Sequence, residues 1–347
     1  MVFTDIKSML FSELRQDFLN SSYKKFRAIQ VYAWLTKGVK NFCEMTDIPK
    51  EFQEVLEQKY KILNVSIEKK MISKSDGTIK YLFKLFDGNF VEAVLLKYKY
   101  GFSICISTQV GCKMNCAFCA TGKIGFKRNL SSSEMLSQIQ EVQDDLKIRI
   151  SNVVLMGMGE PFDNYENTIK FLKIVTSKES LNIGVRHISV STCGIASKIL
   201  EFSEENLGAT LSLSLHASND EIRNKIIPMN KKWNILQNIN ACKQYILKTN
   251  RRVLIEYAMI KDLNDSAENA RELCSILKGM LCHVNLIPLN NIVVNDESYN
   301  FEKSSDVALK KFMNILYDKK ISFTVRRTLG SDINASCGQL VGNRTLL

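Results

Sequence analysis

The chain has 347 residues, 45% hydrophobic and 24% charged, with 47 Lys/Arg against 36 Asp/Glu and a net charge of +11. This balance excludes a disordered or fibrous chain and allows a sizeable core, as one large domain plus a small accessory one. No apolar run reaches membrane-span length, and MVFTDIKSMLFSELRQDF breaks its apolar residues with charges too early for a signal peptide. The expected setting is therefore cytoplasmic with no membrane partner, where ten cysteines suit ligation, catalysis or core packing better than structural disulfides.

Residues 1–67 read as a small helical domain: FSELRQDFLN, KKFRAIQVYAWLTKG and DIPKEFQEVLEQKYKIL carry apolar residues at helical spacing, and Gly38 is a natural stop. Residues 68–97 change character. TIKYLFKLF and FVEAVLLKY flank Asp87-Gly88-Asn89, a hairpin signal. From 98 to 330 the chain alternates. Strand patterns at FSICIS, NVVLMG, RHISVST, ATLSLSLH, RVLIEYAMI, HVNLIP and ISFTVRR are separated by helical patterns such as SSSEMLSQIQEVQDDL, YENTIKFLKIVT and WNILQNINACKQYIL. Repeated strand–helix units predict an α/β domain with a parallel sheet, open or rolled into a full or partial barrel. Residues 331–347 form a C-terminal tail. The basic excess is spread along the chain and suits a nucleic-acid partner. Lys24, Lys25, Arg27, Lys69, Lys70, Arg251 and Arg252 are candidates for phosphate contacts.

In a β/α domain, functional residues gather where strands end and loops begin. Cys112, Cys116 and Cys119 follow the first strand of the alternating region, Gly157, Gly159 and Glu160 the second. Ser191 ends the third, Ser214 to His216 the fourth, and Asn290 follows the sixth. A lone Ser or Asn there is an ordinary cap, but a shared rim points to a common site. The cysteine loop, GCKMNCAFCATGKIGF, is more specific. Its C-x₃-C-x₂-C spacing lacks the second pair that a zinc site would present. Three thiolates on a cubane iron–sulfur cluster leave one iron open to a substrate or cofactor. Gly111 and Gly122 let backbone pass close to so large a group.

C-x₃-C-x₂-C after the first strand of such a domain resembles the radical S-adenosylmethionine superfamily. CISTQVGCKMNCAFCATGKIGFKRNL, GMGEP, SLHA, HVNLIP and DINASCGQLVGN together are similar to the RlmN/Cfr family of RNA adenine methyltransferases, over nearly the whole chain. The resemblance implies a partial (β/α)6 barrel and a [4Fe-4S] cluster on Cys112, Cys116 and Cys119. It also implies S-adenosylmethionine, two molecules per turnover, held by Gly159, Glu160, Ser191, Ser214, Leu215, His216 and Asn290. Cys337 would take a methyl group from the first molecule, because adenine C2 is too electron-poor to attack a sulfonium itself. A radical from the second would activate that methyl group and link Cys337 to the base. Cys105 would resolve the adduct through a transient disulfide, and Glu92 would accept the proton. Cys43, Cys193, Cys242, Cys274 and Cys282 read as ordinary packing residues.

By the same resemblance the partners are 23S rRNA at the peptidyl-transferase centre, tRNA at the adenosine 3′ of the anticodon, and an electron donor such as flavodoxin or ferredoxin, with the enzyme a monomer. GMGEP and NLIPLN favour the RlmN type, which methylates C2, over the Cfr type, which methylates C8 and confers antibiotic resistance. Asn290 is followed here by Asn-Ile-Val-Val rather than the usual Pro, which leaves the C8 alternative open. A different class, a noncatalytic RNA-binding module with a structural metal, would have no need for Cys105, Cys337 and Glu92 together.

Overall fold

The computed structural model describes residues 4–290, 292–294, 297–298 and 301–342. Asn291, in the departure noted above, and the last five residues of the tail lie outside them.

One ten-stranded sheet organises the chain, and its spatial order is its sequence order. Three antiparallel strands come first: β1 (Ser66–Ile72), β2 (Ile79–Lys84) and β3 (Phe90–Tyr98). β3 pairs antiparallel with β4 (Gly101–Cys105), setting Val94 against Cys105. From β4 onward the neighbours are parallel: β5 (Ile150–Leu155), β6 (Ile188–Thr192), β7 (Thr210–Ser214), β8 (Val253–Met259), β9 (Cys282–Pro288) and β10 (Phe323–Val325). The predicted hairpin is therefore continuous with the core sheet. β1 begins inside the stretch read as helical, because SIEKKMI is mostly polar and its alternation is faint.

The sheet curls. β5 and β10 are five places apart, roughly 24 Å on a flat sheet, farther than an Arg and a Met side chain reach together. Yet Arg326, just after β10, brings Nη1 to 3.7 Å from Sδ of Met156, just after β5. The carboxyl ends of the parallel strands thus surround one space, as in a partial barrel.

Helices cover the outside. α4 (Ser132–Leu146) opens with a capping box in which Ser131 and Glu134 exchange backbone bonds. α5 (Tyr165–Thr176), α8 (Ile235–Thr249), α9 (Ala267–Leu277) and α10 (Asp306–Asp318) match the sequence pattern. Two short helices were not evident in the sequence, α6 (Ala196–Glu204) and α7 (Asp220–Ile226). The first three, α1 (Phe11–Asn20), α2 (Lys25–Lys37) and α3 (Lys50–Lys59), bury their own core around Leu14, Phe18, Val31, Leu35 and Leu56. Gly38 ends α2 in the left-handed conformation (φ 86°). This bundle docks on α4, where Gln140 Nε2 donates to the carbonyls of Leu35 and Thr36, both at 2.9 Å. Beside it Lys7 Nζ donates to Ser137 Oγ at 2.7 Å, and burial pushes that amine down to about 7.

Candidate active site

Backbone pairing fixes the shape of the cysteine loop. Gln109–Gly111 pairs antiparallel with Phe126–Asn129, so the loop leaves and returns at one point. Cys112 N donates to Gly125 O at 2.8 Å, and Ala117 N to Ile226 O at 2.9 Å. Gly111 has φ +74°, and a Cβ there would lie 1.8 Å from Gly125 O. A Cβ on Gly122 would meet Asn115 Cα at 3.0 Å. Both glycines are thus fixed by the closeness of the loop's two limbs.

All three loop cysteines line one cleft inside the curl. Burial pushes the Cys112 thiol up to about 12 and Cys116 well above its usual value. The donor set suits an iron–sulfur cluster: three soft sulfurs line one cleft, Cys112 buried and Cys116 and Cys119 half-buried, from a loop too short to spread them far apart.

The other side of the cleft is made by strand ends. After β5 the chain turns sharply through Gly157 and Gly159. A Cβ on either would lie 2.6 Å from a neighbour, Ile106 O or Gln109 Cβ, and Gly159 has φ +103°. This turn aims Glu160 inward. Its carboxylate accepts from Cys193 N at 2.7 Å and Phe162 N at 3.0 Å, while burial pushes its pKa up. Ser191 and Ser214 end adjacent strands with their hydroxyl oxygens 3.3 Å apart. His216 (φ 54°) packs edge-on to Phe118 at 4.7 Å, and its Nδ1 accepts from Ala258 N at 2.8 Å. Burial holds the imidazole down at about 3, so it is neutral with its proton on Nε2. Cys193, read as packing, is a buried member of an apolar cluster with Ala217, Ile226 and Ile260, and it also lines the cleft. Leu215 does not: its side chain belongs to the core, and only its backbone contributes.

A second cleft adjoins the first and shares Cys119, Asn290, Arg326 and Cys337 with it. Cys105 and Cys337 both line this one. Burial pushes Cys105 up to about 12, with a further push from Cys337 charge. Cys337 is exposed and lines both clefts. Enclosure raises its thiol, and the Arg326 guanidinium opposes that. The carbonyl of Cys337 accepts from Asn290 Nδ2 at 3.2 Å. The tail on its far side is pinned by Ala120 N donating to Gly338 O (2.7 Å) and Thr121 Oγ1 to Leu340 O (2.7 Å). All ten cysteines are free.

Glu92 lies under the tail and lines neither cleft. It is fully buried, its Oε2 accepts from Val341 N at 2.8 Å, and its Oε1 is 3.2 Å from Lys80 Nζ, off hydrogen-bonding geometry. It faces the active-site side of β3, two residues before Val94, but the tail covers it.

Among known proteins, the profile described as "Ribosomal RNA large subunit methyltransferase N-terminal domain" matches residues 4–62, and that of the "Radical SAM superfamily" matches residues 106–274. A protein of Clostridium botulinum (strain Alaska E43 / Type E3) called "Probable dual-specificity RNA methyltransferase RlmN" is 52% identical over 315 residues, covering 91% of this chain and 90% of that one. One of the same name from Clostridium tetani is 49% identical, covering 94% and 93%. The chain belongs to the RlmN family of radical S-adenosylmethionine RNA methyltransferases. A crystal structure described as a radical SAM methyltransferase from Sphaerobacter thermophilus superposes with a TM-score of 0.90 at 36% identity, covering 98% of this chain and all of that one.

Two residues of this RlmN-family site escaped sequence reading. Arg223 on α7 is fully buried and donates to the carbonyls of Leu215 (3.0 Å), Ser214 (3.1 Å) and Cys193 and to Asn230 Oδ1 (2.8 Å). Arg326 stands between the two clefts, against Glu256 at 3.4 Å, and Glu256 is itself held by Ser212 and Asn285. Either arginine looks like surface charge in the sequence. Conversely, Arg251 and Arg252 precede β8, so they sit at the rim opposite the clefts, and Lys70 is paired with Asp145 at 2.5 Å. Lys24 and Lys25 are exposed beside Arg27 on the helical bundle.

Proposed function

We propose that the chain methylates C2 of adenosine in 23S rRNA at the peptidyl-transferase centre, and of the adenosine 3′ of the anticodon in tRNA. The observation that carries this reading is the pair of adjoining clefts. One presents three loop thiols beside a polar rim suited to an amino acid. The other presents two further thiols, Cys105 and Cys337, from opposite ends of the alternating region. A metal-stabilised binding module would have no use for the second pair.

In this reading Cys112, Cys116 and Cys119 would hold a [4Fe-4S] cluster, which would supply one-electron reducing chemistry toward S-adenosylmethionine. Glu160 and the Gly159 backbone receive the amino acid end. Ser191, Ser214, neutral His216 and Asn290 line the rest, and the backbone of Leu215 fixes the turn between Ser214 and His216. Cys337, on the boundary of the two clefts, carries the methyl group from one to the other. Arg326 beside it favours the thiolate that must attack the sulfonium. Cys105 then attacks Cys337 and releases the base. Glu92 accepts the proton once the tail has moved, because Val341 N occupies it while the tail is seated. Two S-adenosylmethionine molecules are consumed per turnover, an electron donor of the flavodoxin or ferredoxin kind is needed, and the enzyme works as a cytoplasmic monomer. No helix among the described residues is long and apolar enough to cross a membrane.

Mass spectrometry of 23S rRNA and tRNA from cells with and without the gene tests the reading. 2-Methyladenosine should disappear with the gene. Loss of 8-methyladenosine instead would mean a C8 enzyme, and no change in either would refute an adenine methyltransferase.

A further inference from the structure

The cleft that holds Cys105 and Cys337 has a mouth whose chemistry the methyl transfer does not use. β3 ends at Tyr98, and the turn that follows it, Lys99-Tyr100, brings a second tyrosine back beside the first. Their rings are stacked, 5.0 Å between centroids and 5° between planes. The turn that follows needs Gly101, at φ +126°, because a Cβ there would lie 2.6 Å from Ser151 Oγ. Both tyrosines line the thiol cleft, Tyr98 inside it and Tyr100 at the rim with 71% of its surface exposed.

An exposed aromatic at a hairpin tip is often only a partner for its neighbour, and one face of Tyr100 serves that purpose. The other face is left to solvent above an apolar wall of Val94 and Leu96. Across the cleft stand Arg326 and Arg327, the latter exposed. Both are near enough for their charge to oppose the rise that burial imposes on the Tyr98 phenol. Flat aromatic surface, an apolar wall and cations around one opening form the usual combination for single-stranded nucleic acid, whose bases stack while cations meet the phosphates. Methyl transfer from Cys337 requires the target base to reach the thiols inside. Once that base is unstacked from the RNA, its neighbour loses a stacking partner. We propose that the outer face of Tyr100 is a stacking platform for the RNA base immediately beside the target adenine, with Tyr98 holding that ring in place and Arg327 facing the intervening phosphate.

This rests on the chain being an RNA methyltransferase, so the test separates the two claims. Wild type, Tyr100→Ala, Tyr100→Phe and Tyr100→Trp are loaded with the cluster, and iron content confirms that each has folded. Each is titrated against an anticodon stem-loop RNA carrying 2-aminopurine on one side or the other of the target adenosine. Stacking on an aromatic ring is worth about 1–3 kcal/mol per base, so Tyr100→Ala should bind roughly 5- to 150-fold more weakly. Its complex should also fluoresce brightly from one of the two labelled positions, where wild type, Phe and Trp stay quenched. Wild type that methylates this RNA alongside a Tyr100→Ala variant of unchanged affinity or unchanged fluorescence overturns the platform and leaves the methylation reading standing. A Phe variant as weak as Ala also overturns it, since the ring would not be what binds. Wild type that methylates neither this RNA nor 23S rRNA removes the underlying reading.

Discussion

Replacing Arg223 with Met removes a buried fork that ties two strand-end segments, after β6 and after β7, to the turn that holds Asn230. The guanidinium is fully buried, and no salt bridge to it exists among the described residues. Instead it donates to the carbonyls of Cys193, Ser214 and Leu215 and to Asn230. Methionine fills similar volume but leaves three buried carbonyls without a donor, at about 1–3 kcal/mol each. Relief from burying the cation returns part of that, so a net loss of about 3–5 kcal/mol is expected. Those carbonyls belong to the backbone that presents Ser214 and His216 to the first cleft. If even about 1.4 kcal/mol of the loss falls on the ligand-bound form, the Kd for S-adenosylmethionine rises about tenfold. Arg223→Lys keeps the charge without the fork and should fall between. Equilibrium dialysis of cluster-loaded protein with labelled S-adenosylmethionine reads the affinity, and anaerobic urea unfolding reads the stability. An Arg223→Met protein with affinity within twofold of wild type and stability within about 1 kcal/mol would show that the fork positions nothing.

Gly111→Ala should destroy cluster assembly with all three loop cysteines intact, because its Cβ would fall 1.8 Å from Gly125 O; a variant that keeps wild-type iron and sulfide content would refute the close approach. Cys105→Ala should accumulate as a covalent protein–RNA species on denaturing gels, and Cys105→Ala/Cys337→Ala should not; a single variant free of RNA that still carries its cluster and a methylated Cys337 would contradict the resolving role. The depressed pKa of His216 predicts a pH effect. The unfolded imidazole takes up a proton below its ordinary value of about 6.5, whereas the folded one stays neutral down to about 3. The contribution is fully present above pH 6.5 and falls by about 1.4 kcal/mol per unit as pH drops below it. Unfolding curves between pH 7 and 5 should show that slope in wild type and lose it in His216→Gln.

The sequence by itself determined much of this protein. The 2.0 and 3.6 residue periods are local, so they placed the seven parallel strands and most of the helices. The three-cysteine loop is local too, since its three thiols lie within eight residues, and the GMGEP and SLHA strings announced strand-end turns whose glycine and His216 conformations the fold then required. What the sequence left open is long-range. SIEKKMI looked like the end of a helical region because a polar strand has little alternation to show, and its pairing with β2 makes it a strand. Arg223 looked like one more helical surface charge. Only the pairing of β6 beside β7 brings the carbonyls at their ends to its guanidinium and turns it into a buried clamp. Glu92 was legible as an odd charge in an apolar strand, but not that Val341, far along the chain, would sit on it. Cys105 and Cys337 are separated by most of the catalytic core. Their meeting in one cleft depends on a tail held by Ala120, Thr121 and Asn290, and contacts between such distant segments leave no period in a sequence, because they are set by how the closed sheet and its loops pack.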